Sequence, residues 1–187
     1  MSAVSDPHIA SFIDALWLEE GLSANTLAAY RRDLSLLDRW LQARHGALLQ
    51  VVEQDLQAYF AARHADTRAT TANRRLTVFK RFYRWALRER LCASDPTLRL
   101  LPAKQALRVP KSLSEAQVER LLAAPDVTTP LGLRDRAMLE LLYASGLRVS
   151  ELVGLKTLHV GLHENVLRIL GKGSKERLVP FGEVAGD

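Results

Sequence analysis

A single cysteine, Cys92, among 187 residues leaves no partner for an internal disulfide and no set of thiolates for a cysteine-rich zinc site. No apolar run approaches the roughly 18 residues that a membrane span requires. The first ten residues, Met1 to Ala10, are polar and lack the basic, apolar, small-residue order of a signal peptide. Internal repeats and low-complexity tracts are also missing, which argues against a solenoid or a disordered tail. A cytoplasmic location with no membrane partner is the expectation. Apolar residues at 48% and charged residues at 25% are the balance of a globular protein, long enough for one or two domains.

What the sequence does have is positive charge in one place. The formal net charge is +5. Between Arg68 and Arg90 stand eight basic residues (Arg68, Arg74, Arg75, Lys80, Arg81, Arg84, Arg88, Arg90) against one acid, Glu89. That stretch alone exceeds the charge of the whole chain, so the remainder is net acidic and the basicity is local. A local basic strip points to an anionic partner more than overall charge does.

The periodicity predicts four helices before residue 92. They run over about 6–20, from Ser23 or Asn25 past Leu41, over about 53–64, and from Thr67 or Thr70 to Arg90. Ser23 and Asn25 are good N-caps. Leu27, Tyr30, Leu34, Leu37 and Leu41 fall on one face of the second helix. On the fourth, Leu76, Phe79, Tyr83, Ala86 and Leu87 share one side, while Arg74, Arg81, Arg84 and Arg88 fall within about 80° of one another on another. The strip reads either as a solvated basic face or as a phosphate-contacting one. It lacks interleaved acids for i,i+4 pairing, which favours phosphate contact.

Residues 93–112 read as a linker, with Ser94-Asp95-Pro96, Pro102 and Pro110 as breakers. A second unit follows over 113–187. Ser114-Glu115-Ala116-Gln117 fits a capping box. Pro130 suits the first turn of a helix that stops at Gly146. A short helix over about 148–155 comes next, then strands over 165–170 and 175–180 joined by the turn Gly171-Lys172-Gly173-Ser174.

Cleaving a phosphodiester without a metal needs an in-line nucleophile, fixed positive charge on the phosphoryl oxygens, and an acid for the leaving 5′ oxygen. Arginine suits the second task because its planar fork holds two oxygens. Lysine suits the third as a compact donor whose pKa falls when desolvated. Arg148 and Lys172 are the candidates. Taken singly, each has a structural or solvent-exposed reading too.

The stretch 133–152, ending Ala144-Ser145-Gly146-Leu147-Arg148-Val149-Ser150-Glu151-Leu152, resembles the tyrosine site-specific recombinases of phage-integrase type. So does Gly171-Lys172-Gly173-Ser174-Lys175-Glu176-Arg177-Leu178-Val179-Pro180. Stretches 25–34 and 113–122 make it look most like the XerD branch. The resemblance implies a mainly α protein with a small β-hairpin region. Residues 1–92 would be a four-helix, SAM-like core-binding domain that grips one side of the DNA. Residues 113–187 would be the first part of an α+β catalytic domain, with the chain stopping inside it. Arg148 would bind the scissile phosphate and Lys172 would be the general acid. Arg31, Arg32, Arg74, Arg81, Arg84, Arg88 and Lys175 would contact DNA. Glu151 would either support Arg148 or be an ordinary surface carboxylate. The partners implied are a duplex recombination site and a XerC-like sister subunit in a tetramer, serving chromosome-dimer resolution at cell division, with no cofactor and no metal.

Two family features do not occur in these 187 residues. The second arginine comes in His-x-x-Arg, but His8, His45, His64, His159 and His163 are followed at the third position by Ser11, Leu48, Thr67, Leu162 and Val166. The nucleophilic tyrosine belongs late in a longer domain, whereas Tyr30, Tyr59, Tyr83 and Tyr143 all read as packing residues. The alternatives are therefore a recombinase chain, a DNA-binding fragment without activity, and, less well matched in its helical domain, a type IB topoisomerase relative.

Overall fold

The computed structural model describes residues 6–105, 112–171 and 176–182. The chain divides into two compact units, residues 1–108 and 109–187.

The first unit is four helices: α1 (Pro7–Glu20), α2 (Ala24–Gln42), α3 (Glu53–Ala61) and α4 (Ala69–Arg88). Local signals set their ends. Asp6 caps α1 by accepting from the His8 N–H at 2.8 Å, with Pro7 in the first turn. Gly21 stops it in the left-handed region, φ 61°, where a residue without Cβ carries no steric penalty. Ser23 opens α2 by accepting from Thr26 N–H. His45 and Arg90 end α2 and α4 at φ 57° and 58°. In each case the next residue's N–H reaches back to the helix, Gly46 to Leu41 O at 3.0 Å and Leu91 to Ala86 O at 2.8 Å.

Burial follows the helical period. Ile9, Phe12, Ile13 and Leu16 of α1 meet Leu34, Leu37 and Leu41 of α2 and the aromatic face of α4, Phe79, Phe82, Tyr83 and Trp85. Ring edges meet ring faces: Phe12–Phe82 at 5.4 Å and Tyr59–Phe79 at 5.6 Å between centroids. The Tyr83 hydroxyl is buried and donates to Leu48 O at 2.9 Å. The stretch expected as linker begins as part of this unit. Thr97 and Leu100 are buried. The Asn73 side chain exchanges two hydrogen bonds with the Ala103 backbone, at 2.9 and 2.7 Å.

The second unit holds α5 (Glu115–Ala123), α6 (Pro130–Ser145), α7 (Val149–Val153) and an antiparallel sheet of β1 (Val160–Gly161), β2 (Val166–Leu170) and β3 (Glu176–Pro180) in that order. Thr129 caps α6 and Gly146, φ 61°, ends it. The sequence predicts β2 and β3 but not the two-residue β1, which is too short to show a period. In the β2–β3 register Leu167 faces Val179 and Ile169 faces Arg177. Leu147, Leu152, Leu167, Ile169 and Phe181 form the core here.

Candidate functional site

Arg148 stands at the start of α7, directly after the left-handed turn at Gly146. Its backbone N–H donates to Glu151 Oε2 at 2.9 Å and its Nη1 donates to Glu151 Oε1 at 3.0 Å. The helical turn dictates this, since position i+3 lies over the first residue of the helix. Arg177 of β3 approaches the same carboxylate with both terminal nitrogens, Nη1 to Oε1 at 3.0 Å and Nη2 to Oε2 at 2.9 Å. Glu151 therefore accepts four hydrogen bonds and lies 8% exposed between partners that are 73% (Arg148) and 40% (Arg177) exposed. The Arg177 bonds first, and the Arg148 backbone bond next, hold its carboxyl far below the usual carboxylate range, at about 2. Of the two readings of Glu151, the structure supports the supporting one.

The result is an exposed guanidinium, aimed by a carboxylate that is itself fixed. Arg148 uses Nη1 and the backbone N–H for that fixation, which leaves Nε and Nη2 for an anion. Lys172 and Lys175 lie outside the described residues.

The basic strip of α4 is arranged differently from its appearance on a helical wheel. Carboxylates arrive from other helices. Arg74 closes on Asp33 of α2, Nη2 to Oδ1 at 3.0 Å with Nη1 on the other oxygen, and Arg75 Nε stands 3.6 Å from Oδ1. Arg81 grips Glu20, donates to Tyr30 Oη at 3.3 Å and lies over the Tyr30 ring. Arg88 holds Glu19 at 2.6 and 2.9 Å and also Glu89 at 3.0 Å. Those contacts hold the Glu19 carboxyl below its ordinary range, the Arg88 hydrogen bond being the larger cause. Arg84 is exposed and has no ion pair among the described residues. Arg31 and Arg32 are likewise exposed on α2, beside a groove that also holds Trp17 and Leu27.

Sequence reasoning missed Arg177 and the three acids. One signal for the acids was present. Glu19 and Glu20 occupy the last turn of α1, where the helix dipole disfavours negative charge unless cations answer it. Among the tyrosines, Tyr59 and Tyr83 are buried packing residues, and Tyr30 meets Arg81. Tyr143 differs from the packing role expected of it: it is 65% exposed on α6.

Comparison with known proteins gives a consistent result. The phage integrase N-terminal SAM-like domain matches residues 9–90, and the phage integrase family matches residues 111–187. Tyrosine recombinase XerD of Ralstonia nicotianae is 67% identical over 180 residues, spanning 96% of this chain and 58% of that protein. Tyrosine recombinase XerD of Yersinia pestis is 50% identical over 186 residues, spanning 99% and 62%. The chain thus spans about three fifths of the length of these curated relatives. A lambda integrase tetramer bound to a Holliday junction shares the fold, with a TM-score of 0.73 at 19% identity over 93% of this chain and 49% of the other.

Proposed function

The chain belongs to the phage integrase family, and on that premise we propose that it serves site-specific DNA recombination of the XerD type. The first unit grips one side of the duplex through exposed cations on α2 and α4. The second presents Arg148 to the scissile phosphate. Its guanidinium fork stabilises charge that grows on the non-bridging oxygens in the transition state. Lys172 protonates the leaving 5′ oxygen. Attack by a tyrosine gives a 3′-phosphotyrosyl link that conserves the energy of the broken bond for rejoining. The His-x-x-Arg motif and the late tyrosine of the family do not occur in these 187 residues, and the full reaction needs both. On this reading the protein works in the cytoplasm, in a tetramer with a XerC-like sister subunit, and resolves chromosome dimers at cell division.

The observation that carries this reading is the Arg148 guanidinium, 73% exposed yet held by Glu151. The brace fixes where an otherwise solvent-exposed guanidinium points, as a phosphate-binding group requires. The test is made in the cell. Arg148→Ala in the chromosomal gene should abolish dimer resolution and leave filamentous cells with unsegregated DNA. Normal resolution with Arg148→Ala would sink the reading.

A further inference from the structure

Arg177 belongs to no role assigned so far, and its position is unusual. Residues directly opposed in an antiparallel pair project to the same face. Arg177 faces Ile169, and the neighbouring pair on that face is Leu167 with Val179. Ile169 and Leu167 are buried in the core that also takes in Leu152 of α7. Arg177 is thus a cation at the edge of the core-facing side of the hairpin. Its end-on fork on Glu151 is what makes that placement tolerable, and the fork requires a planar guanidinium.

We propose that Arg177 is a positioning residue: through Glu151 it ties β3 to Arg148 and keeps the positive charge of Arg148 available to a phosphate. This rests on the reading of Arg148 as the phosphate-binding group.

Two consequences of the geometry carry the proposal. The first is mechanical. Arg177 stands five residues after Lys172 in the sequence and belongs to β3. Glu151 stands three residues after Arg148. One carboxylate therefore joins the strand next to the acid candidate with the helix that starts at the phosphate-binding candidate. The second is electrostatic. Glu151 and Arg148 alone would make a neutral pair, with the anion spending the guanidinium's attraction for a phosphate. A second guanidinium on the same carboxylate leaves the cluster at net +1. Removing Arg177 therefore weakens Arg148 without touching it.

The test follows the Arg148 Nε–Hε NMR signal of the 187-residue chain during titration with inorganic phosphate at constant ionic strength. In the wild type the signal shifts and saturates. Arg177→Ala should weaken the apparent affinity about three- to tenfold, the size expected for one partly screened charge. Arg177→Lys, which keeps the charge and loses the fork, should recover part of it. Glu151→Gln added to Arg177→Ala removes the unanswered negative charge and should restore part of the affinity, the lost tether withholding the rest. A merely structural role for Arg177 predicts no such rescue. Should Arg177→Ala disturb the amide spectrum of the second unit, the lysine variant and the double variant still decide the question. If Arg177→Ala titrates like wild type while Arg148 still responds, the proposal is overturned and the Arg148 reading stands. If wild-type Arg148 does not respond to phosphate, that reading falls and the tether falls with it.

Discussion

Arg74 lays two guanidinium nitrogens on the carboxylate of Asp33, a residue 1% exposed in the middle of α2 and 41 positions away in sequence. The pair joins the two helices that also carry the exposed cations. A buried carboxylate without its partner is costly, because the charge has lost water and gained nothing. Arg74→Ala should therefore destabilise the first unit by about 3 kcal/mol, at the lower end for a broken buried pair because Arg75 Nε stands near. Arg84→Ala, at an exposed position, should stay within about 0.5 kcal/mol of wild type. Urea unfolding followed by far-ultraviolet dichroism measures both. Equal losses in the two variants would show that Arg74–Asp33 is not structural.

DNA binding should order the same residues the other way. Each phosphate contact releases condensed counterions, so log affinity falls with log salt by about one unit per contact. Arg84, Arg31 and Arg32 are exposed and make no ion pair among the described residues. Their alanine variants should each flatten the salt slope for duplex binding by about one unit. Fluorescence anisotropy over a salt series gives the slope. An unchanged slope for all three would return them to ordinary surface charges.

Glu19 and Glu20 pair with Arg88 and Arg81, cations on the same helix as Arg84. Replacing both acids with glutamine removes two negative charges beside the strip. Duplex affinity at low salt should rise, about two- to tenfold, with a steeper salt slope. If the double variant binds like wild type, Arg81 and Arg88 do not face DNA and their ion pairs belong to helix packing alone.

How much of this was legible in the sequence depends on distance along the chain. Helix ends were legible because their causes are local: Ser23, Pro130 and Gly146. The aromatic face of α4 was legible from period alone. The Arg74–Asp33, Arg81–Glu20 and Arg88–Glu19 pairs were not, since i,i+4 reasoning sees the acids of one helix and these acids belong to two others. Likewise Arg148 was visible through its motif. Arg177 was not, because its value lies in a carboxylate 26 residues upstream that only the β2–β3 register brings within reach. Residues 97–103 include Pro102, one of the breakers expected of a linker, yet Asn73 offers both halves of an amide to Ala103 and docks them.

Lys172 has a chemical test that does not depend on geometry. A lost general acid slows cleavage by about 10²–10⁴. In a full-length recombinase carrying these residues, Lys172→Ala should show a loss of that size on a nicked suicide duplex. A substrate whose 5′ bridging oxygen is replaced by sulfur leaves without protonation and should restore most of the rate. Failure of the sulfur substrate to rescue would count against the acid role.

The Glu151 brace has a pH window. Its carboxyl sits at about 2 in the folded chain, against an ordinary value near 4.5. A depressed carboxylate contributes stability that is fully present above its unfolded pKa and is lost as pH falls through the folded value. The brace should therefore be intact at pH 5 and weaken between about 4.5 and 2. Carbon-detected NMR of the Glu151 carboxyl should give a midpoint well below the ordinary value near 4.5. A midpoint above 4 would mean that the four-bond arrangement does not persist in solution.

The two units should differ in how firmly they hold their backbone. Among the described residues the first buries a cluster of nineteen apolar side chains and the second a cluster of five. Local opening becomes less costly as buried apolar contacts become fewer. In the second unit α5 buries no residue, while Leu131, Leu133, Tyr143, Val149, Val153 and Leu178 are exposed. Amide exchange on the 187-residue chain should therefore be slow in α1, α2 and α4 and faster in α5 and α6. Within the second unit the slowest amides should be those of β2, where Leu167 and Ile169 are almost fully buried and both flanking strands supply hydrogen bonds. Protection of α5 equal to that of α4 would mean that the exposed apolar side chains of the second unit are covered in solution, by association of the chain with itself, and the exchange pattern should then change on dilution.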